Sequence, residues 1–272
     1  MKNQYINNAN KPLIIGFAGR AGSGKTSVAE SIVPKGSLSL SKYGVKWDHI
    51  FFALPLYELA SAKKNIKGFN QASRRLYAIH DVLYDLFGGS PIGDVPSYDE
   101  LTKMVHQVYD LEIEPEGVKP RTFLQKAGDL CRDFDKDCFT KWAIRKSNLL
   151  YRKYITELSL VDLDSYLGES EQVAIIISDV RFENEAQAIL DQPNGIVVYF
   201  DASDQTLNER ILKRDGKPMT SEQLNHKSEK YIENIKNIAT VIISSDNMSV
   251  EEQANATLKQ IGIIKEQHAK DN

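Results

Sequence analysis

The chain has 272 residues, of which 42% are hydrophobic and 26% are charged, a composition typical of a globular protein with one large core. Its formal net charge of −3 at pH 7 argues against a basic surface for DNA or RNA. Since the longest aliphatic run, residues 173–177, is far too short to cross a bilayer and residues 1–11 are polar, unlike a signal peptide, we expect a soluble cytoplasmic protein without membrane partners.

The first predicted elements are a strand, a glycine-rich loop and a helix. Residues 13–18 form a short apolar run that predicts a buried strand, and residues 27–32 have helical spacing. Between them, residues 19–26 read G-R-A-G-S-G-K-T, which matches the phosphate-binding pattern G-x-x-x-x-G-K-[ST]. The order strand, loop and helix is also the context in which this pattern holds a nucleoside triphosphate.

The glycine-rich loop has the residue types that a nucleoside triphosphate requires. Its glycines allow backbone N–H groups to surround the phosphates. Lys25 supplies a positive charge for the β- and γ-phosphates, and the hydroxyl of Thr26 can bind Mg²⁺. We therefore expect ATP and Mg²⁺ as cofactors, and the predicted nucleotide contacts are Gly19, Ala21, Gly22, Ser23, Gly24, Lys25, Thr26 and Ser27. The alternative is a glycine-rich turn that happens to precede a lysine.

The middle of the chain has a mainly helical pattern. A second strand is predicted at residues 47–53, and helices are predicted over most of residues 54–142. One apolar stripe consists of Leu76, Ile79, Leu83 and Leu86. Residues 88–120 are rich in glycine, proline and acidic residues and predict loops with one short helix at residues 101–109. A P-loop kinase binds its acceptor at a helical insertion in this place. The alternative is that these helices form only a packing layer, which fits the same pattern.

A helix predicted at residues 121–132 has two different faces. The residues expected to face the core are Leu124, Ala127, Cys131 and Phe134. The neighbouring face carries Arg121, Gln125, Gly128 and Arg132. Two guanidinium groups and an amide beside a glycine can bind a monophosphate and a base edge, since the planar fork of arginine binds phosphate oxygens in pairs. A solvated charged face is the alternative.

The clearest strand is predicted at residues 173–178, whose unbroken apolar character suits a strand that is covered on both faces. Asp179 follows at its carboxyl end, where open α/β sheets bind ligands. We assign Asp179 to Mg²⁺ or to the surroundings of the acceptor phosphate, and Arg181 to phosphate. Glu185, one helical turn further on, is expected to accept hydrogen bonds from the substrate. A structural ion pair of Arg181 with Asp179 or Glu185 is the alternative.

Strands at residues 196–200 and 240–243 alternate with helices, which argues for a largely parallel sheet. The helix predicted between these strands is expected to be anchored by Leu207, Ile211 and Leu212. Arg210 and Arg214 share its exposed side and precede a polar stretch at residues 217–229. A basic segment here resembles the lid of nucleotide kinases, which closes arginines over the transferring phosphoryl group and excludes water. Cations also favour helix C-termini in general.

The closing helix is marked at its start and along its apolar face. Ser249 and Glu252 have the spacing of a capping box. Ala254, Leu258 and Ile261 then repeat at helical spacing. We therefore predict that this helix packs on the sheet.

Taken together, these segments resemble the deoxynucleoside monophosphate kinases of tailed bacteriophages. The distinctive strings are L-Q-K-A-G at residues 124–128 and D-V-R-F-E-N-E-A at residues 179–186. The other matching segments are residues 19–26, 52–56, 120–121, 142 and 226–229. Residues 84–118 lie outside the resemblance.

The resemblance implies an α/β fold of the P-loop NTPase class. Its three-layer core is like that of adenylate kinase, with a parallel sheet, a helical insertion for the nucleoside monophosphate and a small lid. The implied single domain has its core at residues 11–53, 143–207 and 231–265, the insertion at about 54–142 and the lid at about 208–230. The implied acceptor-side residues are Arg121, Gln125, Gly128, Arg132, Trp142, Asp179, Arg181 and Glu185. We also assign Asp129 to substrate binding, although it stands where the family often has threonine.

The expected reaction transfers the γ-phosphoryl group of ATP to a deoxynucleoside monophosphate and supplies precursors for phage DNA in the host cytoplasm. The residues expected to carry the chemistry are Lys25, Asp179, Arg181, Arg210 and Arg214. One rival is a kinase of another small molecule, such as dephospho-coenzyme A. Another is a nucleotide-dependent switch, although the chain contains no N-K-x-D string for reading guanine. The accepted bases, the strictness against ribonucleotides and the oligomeric state, a homodimer included, stay open.

Overall fold

The structure is a computed structural model that describes residues 11–33, 40–42, 45–65, 70–88, 96–160, 172–218 and 232–263. The chain divides into two compact units, of which the first comprises residues 1–51 and 146–272 and the second residues 52–145. Most of the predicted lid, from residue 219 onward, lies outside the described residues, and so does the H-K-S-E segment at residues 226–229.

A six-stranded sheet forms the centre of the first unit. In chain order its strands are β1 Leu13–Ala18, β2 Leu40–Lys42, β3 Val45–Ile50, β4 Gln172–Val180, β5 Gly195–Asp201 and β6 Val241–Ser244. Their order across the sheet is β2-β3-β4-β1-β5-β6. All neighbouring pairs are parallel except β2 and β3, which are antiparallel. The predicted α/β class with a largely parallel sheet is therefore confirmed, while the short edge strand β2 had no signal in the sequence.

The predicted strand at residues 47–53 is wrong at its carboxyl end. The strand β3 ends at Ile50, and a helix begins at Leu54. Pro55 occupies the first turn of that helix, where proline is favoured because its fixed φ is helical and the first N–H groups have no intrahelical partner. The other predicted strands are confirmed with small differences at their ends.

Helices in the first unit cover both faces of the sheet. Among the described residues, those that lie wholly within it are α1 Lys25–Ile32, α7 Glu183–Leu190, α8 Asp204–Asp215, α9 Ile232–Ile238 and α10 Val250–Gln260. Leu13, Ile15 and Phe17 of β1 belong to a buried cluster with residues of α1 and α10. On the opposite face, a Cβ atom added to Gly16 would lie 2.6 Å from Cδ1 of Ile189 in α7. The central strand β1 is consequently buried along its whole length.

The helix α10 begins as the sequence predicts. The backbone N–H of Glu252 donates to Oγ of Ser249 at 3.2 Å, and the N–H of Ser249 donates to Oε2 of Glu252 at 2.7 Å. Ala254, Leu258 and Ile261 are buried, as their spacing indicated. The capping box and the apolar stripe are both confirmed.

The second unit is helical. It contains α2 Leu54–Asn65, α3 Gln71–Phe87, α4 Tyr98–Asp110 and α5 Arg121–Phe134, and α6 Cys138–Leu160 begins in it. The predicted stripe on α3 is confirmed at Ile79, Leu83 and Leu86, which are buried. The predicted helix at residues 101–109 is α4, which starts earlier because Ser97 forms a capping box with Glu100. In the described part of the chain, no helix is long and apolar enough to cross a membrane.

The predicted core face of α5 is only partly right. Ala127 and Cys131 are buried, but Phe134 is 38% exposed. Phe123, which the sequence did not place in the core, is fully buried. The buried face is therefore centred on residues spaced by four from Phe123. The helix α2 packs beside this face at Gly128, where an added Cβ would lie 3.3 Å from Cδ1 of Leu56.

Candidate functional site

A cavity of about 630 Å³ lies at the carboxyl ends of β1, β4, β5 and β6, in the segments that follow these strands. Its lining residues are Ala21, Gly22, Gly24, Lys25, Thr26, Ser27, Arg181, Arg210, Lys213, Arg214, Met248, Ser249, Val250 and Gln253. Five of these residues are cations, and none of the lining residues that the structure describes is acidic. Because the chain as a whole is slightly acidic, this concentration of positive charge marks the cavity as a site for a polyanion.

The start of α1 adds to this positive potential. Its N-cap is Gly24, which has no side chain to accept from the N–H groups of the first turn, and that turn contains no acidic residue. This differs from α10, whose N-terminus is closed by the capping box. The N–H groups and the helix dipole at the start of α1 therefore favour an anion in the loop.

The loop conformation depends on glycine at position 22. Gly22 has a φ of +84°, a conformation that residues with a Cβ rarely adopt. An added Cβ would also lie 2.9 Å from the carbonyl oxygen of Leu207 in α8. The loop can therefore rest against the α8 backbone only with glycine at this position.

We expect Gly22→Ala to lower the melting temperature and to lower the affinity for nucleotide by about tenfold. A positive φ costs a residue with a Cβ about 1–2 kcal/mol, and the loop must also move away from α8. Gly216→Ala is a matched control, since Gly216 has a φ of +69° but no atom within 4 Å of an added Cβ. Thermal melts and nucleotide titrations check both variants. Equal nucleotide affinity in the two variants would show that contact with α8 does not shape the loop.

Lys25 is held inside the loop. Its Nζ donates to the carbonyl oxygens of Gly19 at 2.6 Å and Arg20 at 3.0 Å, and the residue is only 5% exposed. The ammonium group is thus positioned at the glycine-rich loop by the loop's own backbone. Gly19 and Ser23, which were predicted to contact nucleotide, do not line the cavity, and the Ser23 side chain is fully buried.

Arg210 lines the cavity, but its guanidinium group is largely engaged by the protein. Nη2 donates to the carbonyl oxygen of Ser245 at 2.7 Å, and Nη1 lies 3.4 Å from the carbonyl oxygen of Ser23 and 3.3 Å from Oγ of Ser245. The prediction of an exposed lid arginine is therefore corrected: Arg210 joins α8 to the glycine-rich loop and to the segment after β6. The sequence could not indicate these contacts of Arg210, since Ser23 and Ser245 are far from it in the chain and only the tertiary structure brings them together.

The amino end of α8 is also tied to these segments. Nη1 of Arg20 in the glycine-rich loop lies 2.5 Å from Oδ1 of Asp204. Asp246, after β6, accepts from the backbone N–H of Ser203 at 3.0 Å. Hydrogen bonds from Thr206 and Ser203 hold the pKa of Asp246 below its usual value. The helix that carries three of the cavity cations is thereby mounted on the core, so the predicted lid boundary at residue 208 falls inside a core helix.

The predicted apolar anchors of α8 are confirmed at Leu207 and Ile211, which are buried, whereas Leu212 is 53% exposed and was wrongly assigned. Arg214 forms an ion pair with the adjacent Asp215, with Nη2 2.7 Å from Oδ2. Lys213 lines the cavity although the sequence did not single it out. The sequence could have indicated this position for Lys213, because it follows Arg210 by three residues and residues three apart share a helix face.

The segment after β4 delivers Arg181 to the cavity, while its predicted contact with phosphate stays a prediction. Asp179 is half-buried and does not line the cavity. Glu185 is 3% exposed, and its Oε2 accepts from the backbone N–H groups of Arg181 at 2.8 Å and Phe182 at 3.1 Å. Glu185 therefore holds the start of α7 through this oxygen, which corrects the expectation that it serves the substrate.

The remaining predicted acceptor residues belong to the second unit and lie on α5 and α6. Arg121 is half-buried at the first position of α5, while Gln125 and Asp129 are exposed. The guanidinium carbon of Arg132 lies 4.7 Å from the centroid of the Phe139 ring. Gly128 is buried.

Trp142 was expected to contact the substrate, but the structure places it in the core. It is 2% exposed, and its Nε1 donates to Oδ2 of Asp85 at 2.8 Å. The indole therefore contributes packing, and its polar atom is satisfied inside the second unit. Sequence alone does not distinguish an exposed tryptophan from a buried one at this position.

The comparisons with known proteins add little. No family model matches the chain, and no curated protein matches it. A solved structure, TT1252 from Thermus thermophilus, is similar over 92% of this chain and 96% of that chain, with 16% sequence identity and a TM-score of 0.39. This likeness is too distant to support an inference about function.

Proposed function

We propose that the protein is a deoxynucleoside monophosphate kinase, which transfers the γ-phosphoryl group of ATP to a deoxynucleoside monophosphate and releases ADP and a deoxynucleoside diphosphate. The observation that supports this most is the group of five cations in one cavity around the uncapped start of α1. These cations are Lys25, Arg181, Arg210, Lys213 and Arg214. Phosphoryl transfer depends mainly on positioning and on compensation of negative charge, which such a cavity supplies.

In this proposal, residues 19–26 form a P-loop that binds the triphosphate. The β- and γ-phosphates accept from the loop N–H groups and from Lys25, whose ammonium group exchanges the carbonyl oxygens of Gly19 and Arg20 for phosphate oxygens. The lining also includes the apolar side chains of Met248 and Val250 and the amide of Gln253. Apolar and amide groups beside cations suit a ligand with a ring system as well as phosphates.

The donor set around the loop fits Mg²⁺. This ion usually keeps several waters and takes one or two protein ligands together with substrate phosphates. Thr26 is exposed in the first turn of α1 and lines the cavity, so its hydroxyl is suited to be a direct ligand. Across the described ranges, no group of three or more His, Cys, Asp or Glu residues is arranged to hold a metal. Asp179, near the end of β4, does not line the cavity, so its proposed part is to hold waters of the ion and not the ion itself.

The acceptor is assigned from the sequence strings at residues 124–128 and 179–186. Arg181 in the cavity is suited to an acceptor phosphate or to the transferring group, because guanidinium binds phosphate oxygens in pairs. On α5, Arg121 and Gln125 keep exposed surface and remain the proposed contacts of the nucleoside monophosphate.

A coupled assay of ADP release tests this function directly. The purified chain is supplied with ATP, Mg²⁺ and one acceptor at a time from the deoxynucleoside monophosphates, the ribonucleoside monophosphates and dephospho-coenzyme A. We expect ADP release with at least one deoxynucleoside monophosphate, and formation of the matching diphosphate by chromatography. Turnover only with dephospho-coenzyme A would favour a kinase of that molecule. ATP hydrolysis that responds to a protein partner and to no small acceptor would favour a nucleotide-dependent switch.

A further inference from the structure

A hydrogen bond between two side chains joins β3 to β4 near the carboxyl ends of both strands. Nε2 of His49 lies 2.7 Å from Oγ of Ser178, and the imidazole tautomer decides which of the two donates. Ser178 is 2% exposed, so burying its hydroxyl without a hydrogen-bond partner would cost free energy of folding. Neither residue has a role in the cavity described above.

Ser178 lies at an irregularity of the sheet. Gly16 of β1 is paired with Ile177, but Ala18 is paired with Val180, so two residues of β4 oppose Phe17 alone. Those two residues are Ser178 and Asp179. A bulge of this kind interrupts the ladder and bends the strand, and bulges commonly redirect side chains next to functional sites. β4 returns to the ladder at Val180, so Ser178 and Asp179 are the two residues whose path the pairing with β1 leaves open.

The bulge leads directly to the cavity. Arg181, which lines the cavity, follows Ser178 by three residues. On its far side the segment is fixed by Glu185, whose carboxylate accepts from the N–H of Arg181. On its near side, the bulge is contacted by the hydrogen bond between Ser178 and His49.

His49 is itself held firmly. Its backbone N–H donates to Oδ1 of Asp48 at 2.7 Å, and Oδ2 of Asp48 accepts from the Tyr154 hydroxyl at 2.5 Å. Tyr154, on α6, is 4% exposed, and Nζ of Lys46 lies 4.6 Å from the centroid of its ring. The imidazole thus projects from a strand end whose position is set by a neighbouring helix.

We propose that His49 is a positioning residue: through Ser178 it fixes the bulge of β4, and the bulge directs Arg181 into the cavity. His49 does not touch the reacting groups in this account. The inference rests on the proposed phosphoryl transfer for the step that Arg181 serves, and on the geometry of β3 and β4 for the placement of Arg181.

The test compares His49→Ala, Ser178→Ala and the double variant with the wild type. We expect each single variant to lose about tenfold in kcat/KM for the deoxynucleoside monophosphate, the effect of a displaced charged hydrogen-bond donor, while KM for ATP changes less than about twofold. The double variant should lose no more than either single variant, because both remove the same contact. His49→Gln should restore most of the loss, since its amide reaches the hydroxyl.

Losses that multiply in the double variant, or wild-type acceptor kinetics in His49→Ala, would overturn the inference. His106→Ala is the control for removal of an imidazole, because His106 is exposed on α4 of the second unit, and it should leave the kinetics unchanged.

Crystal structures of the wild type and His49→Ala provide a measurement that needs no turnover. We expect the variant to show Arg181 displaced from the cavity, and an unchanged Arg181 would refute its positioning by His49. A wild-type chain without any transferase activity contradicts the proposed function alone, and the two structures then decide the role of His49.

Discussion

Lys25→Ala should lower turnover by about a hundred- to a thousandfold, the largest effect of any single substitution in the cavity. The ammonium group is held by the carbonyl oxygens of Gly19 and Arg20 at the loop that would bind the triphosphate. Its loss removes positive charge where negative charge develops in the transition state. The measurement is kcat at saturating ATP and acceptor, with nucleotide affinity determined separately by titration.

Lys213→Ala is the matched control, because it removes a second lysine from the same cavity outside the loop. We expect it to cost no more than about tenfold, the scale of one charged hydrogen bond. Lys25→Arg should remain strongly impaired, because a planar guanidinium does not fit where the compact ammonium lies between two carbonyl oxygens. Near-normal turnover in Lys25→Ala, with a melting temperature close to wild type, would refute the assigned role.

Arg181→Ala should have the second largest effect, a loss of about ten- to a hundredfold in kcat/KM for the acceptor. Arg181 is the cavity cation that β4 delivers, whereas Arg210 and Arg214 come from α8. We expect the loss to fall mainly on use of the deoxynucleoside monophosphate, with a smaller change in KM for ATP. Steady-state kinetics with each substrate varied in turn separates the two.

Arg214→Ala serves as the comparison for Arg181→Ala, since Arg214 lines the same cavity but already pairs with Asp215. A smaller effect is expected there because part of the guanidinium is engaged. If Arg181→Ala keeps wild-type kinetics for the acceptor, Arg181 has no place in the reaction. If it loses affinity for ATP by the same factor, its phosphate contact belongs to the donor instead.

Much of the fold follows from local sequence patterns. The run of aliphatic residues in β4 predicts a strand buried on both faces, and the structure buries residues 173–178. Ser249 and Glu252 predict the start of α10, because a capping box is complete within four residues. The three loop glycines, Gly19, Gly22 and Gly24, all have positive φ angles. Each of these features depends on neighbours in the chain, so the sequence alone contains it.

The incorrect predictions concern which partners a side chain has in the folded protein. Helical spacing identified a face of α5 and of α8, but it did not say which neighbouring elements pack there, so Phe134 and Leu212 were placed in the core and are exposed. Trp142 was assigned to the substrate from the resemblance, and Glu185 already from its place one helical turn beyond Arg181. The structure gives both of them partners inside the protein. Residue type indicates what a side chain can bind, and only the surrounding structure shows what it does bind.

By itself, the sequence determined the strand, loop and helix that surround Lys25, because a glycine-rich turn and the helix after it are built from consecutive residues. The tertiary structure decided which cations share the cavity. It joins Arg181, Arg210 and Lys213 to the loop across long stretches of chain, and it uses Arg210 to connect α8 with Ser23 and Ser245. Such contacts arise from the order of strands in the sheet, which no local pattern of residues records.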